Sequence, residues 1–205
     1  MGLGNSTHSS KNYLNVVAGK FAIKAKEGAE GAVKRTNKNN QEVWEHLYNE
    51  LSGVLITGIE KKVQEGFGAS WQVTLKEGMD DYILNLPFSS RVTNGLMFRL
   101  PNIDLSSPMS LRLFTFKAEA PTDKDKTFMT VEQNGKKVDP AYTKDSPNGL
   151  PEMKKVKIKG IDTWDDSDQL EFIETMVNTT IIPQLSASSQ MDYPDPSLED
   201  DQLPF

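Results

Sequence analysis

Apolar and polar residues alternate with a period of two along most of the chain. From Leu14 to Lys26, Val17, Phe21 and Ile23 take one parity and Lys20, Lys24 and Lys26 the other, which predicts a half-buried strand with a basic outer face. The loop Glu27 to Asn40, rich in Gly, Asn and Lys, follows. In QEVWEHLYNELSG, the residues Trp44, Leu47, Tyr48 and Leu51 fall at helical spacing, with Asn40 as a cap and Gly53 as a stop, while strand alternation fits as well. Three consecutive strands come next in GVLITGIEKKV, SWQVTL and DYILNLPF. Leu55, Ile59 and Val63, then Trp71, Val73 and Leu75, then Tyr82, Leu84, Leu86 and Phe88 each keep one parity. Gly66, Gly68, Gly78 and the pair Asp80–Asp81 mark the turns between them.

SSRVTNGLMFRL has a Ser cap and apolar Val92, Leu96 and Leu100 four apart, so it predicts a short helix before Pro101. Strands return in SLRLFTFK, Ser110 to Lys117, and in FMTVEQNGKKV, where Asn134-Gly135 is a strong hairpin signal. KKVKIKGI alternates Lys155, Lys157 and Lys159 against Val156 and Ile158. A last helix is expected from about Asp166 to Ile182, with Leu170, Ile173, Val177 and Ile181 on one face and Pro183 ending it. Three strands, a short helix, then more strands is the order of an OB-fold. The expected class is therefore mainly β, an OB-fold-like Greek-key barrel with short helices, over residues 13–183. Residues 1–12 and 184–205 read as disordered by composition, the latter as an acidic tail.

Composition narrows the setting. A chain of 205 residues with 37% hydrophobic content suits one core. It contains no cysteine, so thiol nucleophiles and cysteine-based zinc sites are excluded, and a cytoplasmic setting is expected. Neither a leader pattern nor an apolar stretch of membrane-spanning length is present. MGLGNS matches the loose myristoylation pattern.

The net charge of −6 is unevenly spread. All 23 Lys and Arg lie between Lys11 and Lys159, where they face 18 acids, while the remaining 45 residues hold 11 acids and no base. A basic body can hold a polyanion and an acidic tail can imitate one.

Candidate catalytic chemistry is sparse. His8 and His46 are the only histidines; the first falls in the start that reads as disordered and the second in the stretch that fits helix and strand alike, so neither a His-based triad nor a His-rich metal site can be assembled. Asp80, Asp81 and Asp104 are the residues a metal-dependent nuclease would use, although an Asp pair at a strand turn is ordinary turn chemistry. TDKDKTF lacks the Gly and closing Glu of a calcium loop, and no glycine pair opens a phosphate-binding helix. No cofactor is expected, and the chain reads as a non-enzyme.

Nucleic-acid chemistry is better represented. Lys20, Lys24, Lys26, Lys155, Lys157 and Lys159 recur on single faces of expected strands, with Lys34, Arg35, Arg91, Arg99 and Arg112 between them. Such rows suit phosphates. Arg112, Phe114 and Phe116 share one parity of their strand and Leu111 and Leu113 the other, so one face combines a guanidinium with two rings on which unpaired bases can stack. The opposite assignment, with the two Phe in the core, satisfies the same alternation. Trp71 shares the parity of Val73 and Leu75, a core position, yet as a strand-end ring beside Phe67 it also qualifies as a groove edge. A recognition helix rich in Arg and Asn, as duplex readers use, is not evident.

The chain ends SLEDDQLPF, in which Glu199, Asp200 and Asp201 precede Leu203, Pro204 and Phe205. This ending resembles the C-terminal tip of the single-stranded DNA-binding proteins of bacteria and their phages, a run of Asp followed by an aliphatic residue, Pro and Phe. Gln202 departs from that pattern and shortens the acidic run. LPFSSRVTNGLMFRLPNID together with the tip looks more like a divergent phage member than a standard bacterial one. The resemblance implies sequence-independent binding and protection of single-stranded DNA during replication, recombination and repair. It also implies recruitment of partner enzymes by the tip, with Phe205 docking in an apolar pocket and the acids facing a basic rim. A homo-oligomer is compatible with it. The competing expectations are a nuclease or other nucleic-acid enzyme, and an RNA-binding or virion structural protein with a solubilising tail.

Overall fold

The computed structural model describes residues 12–37, 39–66, 68–119, 124–158 and 160–190. Its first feature is a hairpin where the alternation predicts one strand. β1 (Asn12–Val17) and β2 (Lys20–Lys24) pair antiparallel through a two-residue turn at Ala18 and Gly19, whose φ angles are 48° and 76°. Positive φ at both turn residues matches the twist of the flanking strands, which is why the chain reverses there. Leu14 and Phe21 are buried, whereas Lys20 and Lys24 are exposed. β3 (Val33–Thr36) and β4 (Glu42–Tyr48) form the next hairpin. The stretch that fits helix and strand equally is thus a strand, because β2 and β3 hydrogen-bond to it on both sides. Asn37 shapes the intervening turn, its Oδ1 accepting from the backbone N–H groups of Asn39 and Gln41 at 2.9 Å each.

β5 (Glu50–Gln64), β6 (Gly68–Glu77) and β7 (Asp80–Pro87) are the three expected consecutive strands, all antiparallel. A bulge in β5 between Ile56 and Gly58 reverses its parity. Val54, Ile56 and Ile59 therefore point into the core, while Val63 is exposed, so the evenly spaced series Leu55, Ile59, Val63 does not survive as one face. Helix α1 (Arg91–Met97) follows, with the Ser90 hydroxyl accepting from the Thr93 N–H at 3.1 Å as its cap. A short 3-10 turn, Leu100–Asn102, leads to β8 (Met109–Phe116). β8 returns to pair with the first part of β5, giving the order β8-β5-β6-β7 of a Greek key.

β9 (Lys126–Gln133) adds outside β8, and β10 (Lys136–Lys137) turns back on it through Asn134 and Gly135, both with positive φ. Strands β9-β8-β5-β6-β7, with a helix between the third and fourth in chain order, reproduce the strand arrangement of the OB-fold. β1 pairs parallel with β7, and β2, β4 and β3 continue from it, so the whole sheet has ten strands. Among the described residues no ladder joins its two ends. The sheet nevertheless curls on itself, because the β1–β2 turn at Gly19 packs against the side chains of Thr115 on β8 and Thr127 on β9. A side chain at Gly19 would collide with Thr115, which is the reason a glycine sits there.

The core inside this curl is closed by the C-terminal elements. β11 (Lys154–Ile158) and β12 (Ile161–Asp165) form a separate hairpin, followed by α2 (Ser167–Met176), a π turn at Val177–Ile181 and α3 (Ile182–Gln190). Ile173, Val177, Ile181 and Leu185 are buried together with Leu14, Trp71, Leu84, Leu96 and Leu111. The helix expected to end at Pro183 continues past it. Pro183 is the second residue of α3, directly after the wider π turn, where its missing N–H and its ring are tolerated as in a first helical turn. Lys61 on β5 ties α2 down, with Nζ 2.6 Å from Glu174 Oε2 and 4.5 Å from the centroid of the Phe88 ring.

Candidate nucleic-acid interface

Strand β8 decides which rings face outward. Leu111 and Leu113 are buried in the core, while Phe114 is 43% and Phe116 64% exposed. The alternative with both Phe inside is thereby excluded. Opposite them on β9, Phe128 pairs with Phe114 and Lys126 with Phe116, and residues directly across a ladder share a face. Phe116 and Phe128 meet edge to face with centroids 5.7 Å apart. Three rings thus lie on an outer surface whose inner side is already filled by Leu111, Leu113, Met129 and Val131. Phe114 and Phe116, partly left in water, contribute less to stability than buried rings would.

A wall stands beside these rings. Helix α1 packs along β9 at Gly95, where a Cβ would lie 2.5 Å from the Met129 carbonyl oxygen, so only glycine permits this approach. Arg91, Asn94 and Phe98 of that segment, Lys137 and Tyr142 enclose with the three Phe a groove of about 560 Å³. Phe98 and Tyr142 meet edge to face at 6.0 Å, and Tyr142 meets Phe172 at 5.4 Å, which fixes the floor.

The cations differ in what they can offer. Arg91 and Lys137 line the groove and are exposed. Arg99 lines it too but is committed to the fold, its Nε donating to the Val138 carbonyl at 2.9 Å and Nη1 to the Gly95 carbonyl at 2.6 Å. Burial pulls its pKa below the usual guanidinium value, opposed by the charge of Asp139. Arg112 shares the face of Phe114, yet its Nε donates to Glu50 Oε2 at 2.7 Å, and Glu132 lies 4.0 Å away. Hydrogen bonds from Ser52 and Arg112 hold the Glu50 carboxyl below the usual range.

Lys34 pairs with Glu42 at 2.7 Å, Arg35 with Glu45, and Lys155 with Asp162 at 2.7 Å. Lys20, Lys24 and Lys26 are exposed but do not line this groove. Lys157 is exposed on β11, and Lys159 lies outside the described residues, as do Glu199, Asp200, Asp201, Leu203, Pro204 and Phe205.

Trp71 requires a correction as a base-stacking candidate. It is 1% exposed and stacks on Phe88 at 5.4 Å, because it occupies the inward parity of β6 opposite Leu86. The charge division also shifts. Six of the eleven acids after residue 160 sit on β12, on α2 or between them, so residues 1–190 hold 23 bases against 24 acids, a net of −1. The body up to residue 190 therefore has no net positive charge, and the exposed cations of the groove are Arg91 and Lys137.

Sequence reasoning missed Phe128, Lys137 and Trp164. Phe128 shares the parity of polar Thr130 and Glu132, and only the ladder places it opposite Phe114. Trp164, 62% exposed on β12, falls where the sequence predicts the approach to a helix. Asp104 is occupied by the hydroxyls of Ser106 and Ser107 at 2.6 Å each, which lower its pKa, and Asp80 and Asp81 open β7. Among the described residues no group of three or more His, Asp or Glu is placed to hold a metal ion. No described helix is long and apolar enough to cross a membrane.

No protein-family model matches the chain, and neither a curated protein nor a solved structure matches it.

Proposed function

We propose that the protein binds single-stranded DNA without sequence preference, through the groove between α1 and the outer face of β8–β9. The observation that carries this reading is the cluster of exposed Phe114 and Phe116 with half-buried Phe128, beside Arg91 and Lys137. Unpaired bases of any sequence can stack on such rings, each stack being worth about 1–3 kcal/mol, while the flanking cations meet phosphates. The strand order supports it, since OB-type sheets present grooves of this kind to single strands. A duplex keeps its bases stacked internally and cannot use the rings. The segment Glu199–Phe205 acts, in this reading, as the element that recruits replication, recombination or repair enzymes to coated DNA.

Titration of the full chain with labelled oligo(dT), matched RNA and matched duplex, by fluorescence anisotropy at low salt, tests the proposal. Tight binding of oligo(dT), weaker binding of duplex and an intact oligonucleotide after addition of magnesium are expected. Absence of oligo(dT) binding overturns the reading, preference for RNA moves it to the RNA-binding alternative, and shortening of the strand with magnesium moves it to the nuclease.

A further inference from the structure

A second groove of about 640 Å³ adjoins the first and shares Asn94, Phe98 and Tyr142 with it. Its far side is formed by Met153 and by Trp164 of the β11–β12 hairpin, 48% and 62% exposed. This hairpin belongs to a two-stranded sheet of its own, so Trp164 has no large sheet face to cover. An indole left in water on such a hairpin adds nothing to the core, and a ring of that size at the end of a groove is suited to a flat partner. Lys155 stands directly across from Trp164 and is neutralised by Asp162, whereas Lys157, on the same face two residues on, has no ion pair among the described residues.

We propose that Trp164 is a second base-stacking site for single-stranded DNA, and that one strand runs continuously from Phe116, over Asn94 and Tyr142, to the β11–β12 hairpin. This rests on the function proposed above and extends it to a defined path. One cation, Lys144, and two carboxylates, Glu152 and Asp166, line the second groove, so it offers a phosphate no net positive charge. The far end therefore offers ring stacking more than phosphate attraction, and removing the indole leaves the salt dependence of binding unchanged.

The test compares the full-length protein with Trp164→Ala and Trp164→Phe, using oligo(dT) of about 16 nucleotides, the upper end of site sizes for one OB-type domain. Circular dichroism confirms folding of both variants. Trp164→Ala is expected to bind about tenfold more weakly than wild type at an unchanged salt slope, and Trp164→Phe to recover most of the loss. Intrinsic fluorescence supplies an independent readout. Trp71 is buried and Trp44 partly so, which leaves Trp164 as the most exposed indole, and its quenching by oligo(dT) should vanish in Trp164→Phe. Equal affinity of wild type and Trp164→Ala overturns the path while leaving the first groove as the binding site. Failure of wild type to bind removes the proposed function itself.

Discussion

Replacing Gly95 by alanine tests the contact that builds the groove wall. A Cβ there would lie 2.5 Å from the carbonyl oxygen of Met129, 3.0 Å from its nitrogen and 3.1 Å from its Cβ. Carbon atoms pack at about 3.5–4.0 Å, so helix and strand must separate by on the order of 0.5–1 Å. Neither can do so freely. Met129 is held in the ladder opposite Leu113, and α1 is anchored by Leu96 and Met97, both essentially buried. Overpacking costs about 1–3 kcal/mol, and hydrogen-bonded backbone as the obstacle favours the upper half of that range. Alanine's better helix propensity returns about 1 kcal/mol. The net expectation is a loss of about 1–2 kcal/mol, read as a lower urea midpoint at unchanged slope in equilibrium unfolding. Because α1 carries Arg91 and Asn94, affinity of the folded variant for oligo(dT) should fall as well. A Gly95→Ala protein as stable as wild type would mean that propensity outweighs the clash, and that α1 is not seated on β9 as described.

Trp71→Ala should cost about 3–5 kcal/mol in urea unfolding while leaving the affinity of the folded fraction for oligo(dT) unchanged; weaker binding without destabilisation would return Trp71 to the interface. Phe116→Leu should weaken oligo(dT) binding by about 1–3 kcal/mol at a constant salt slope, whereas Arg91→Ala or Lys137→Ala should each lower the slope of log affinity against log salt by about 0.7. A Phe116 variant that changes the slope would contradict stacking as its role. The depressed pKa of Glu50 gives a signed pH effect. Its contribution to stability is complete above the unfolded-state value near 4.5 and is lost as pH falls through the lower folded-state value, so Glu50→Gln should flatten the fall in urea midpoint below about pH 4.5. An unaltered acid profile in Glu50→Gln would show that the hydrogen bonds from Ser52 and Arg112 to this carboxylate do not contribute.

Much of the architecture was legible from alternation, because a strand with one buried face must repeat every two residues. The three consecutive strands, the Ser90-capped helix and the Asn134–Gly135 turn all follow from local signals, since each is imposed within a few residues. Local pattern fails where the cause is distant or conformational. The Ala18–Gly19 turn carries no polar cluster to announce it, and a one-residue bulge in β5 inverts the parity that the even spacing of Leu55, Ile59 and Val63 implies. The stretch around Trp44 is a strand only because β2 and β3 supply its hydrogen-bond partners. For the groove, sequence alternation by itself placed Arg112, Phe114 and Phe116 on one face without saying whether that face is inside. Only the packing of Leu111 and Leu113 against the core turned it outward, and only the ladder and the close approach at Gly95 brought Phe128, Arg91 and Lys137 beside it. Period-two alternation fixes relative orientation within one strand, whereas exposure depends on what packs behind it and is decided by contacts between residues far apart in the chain.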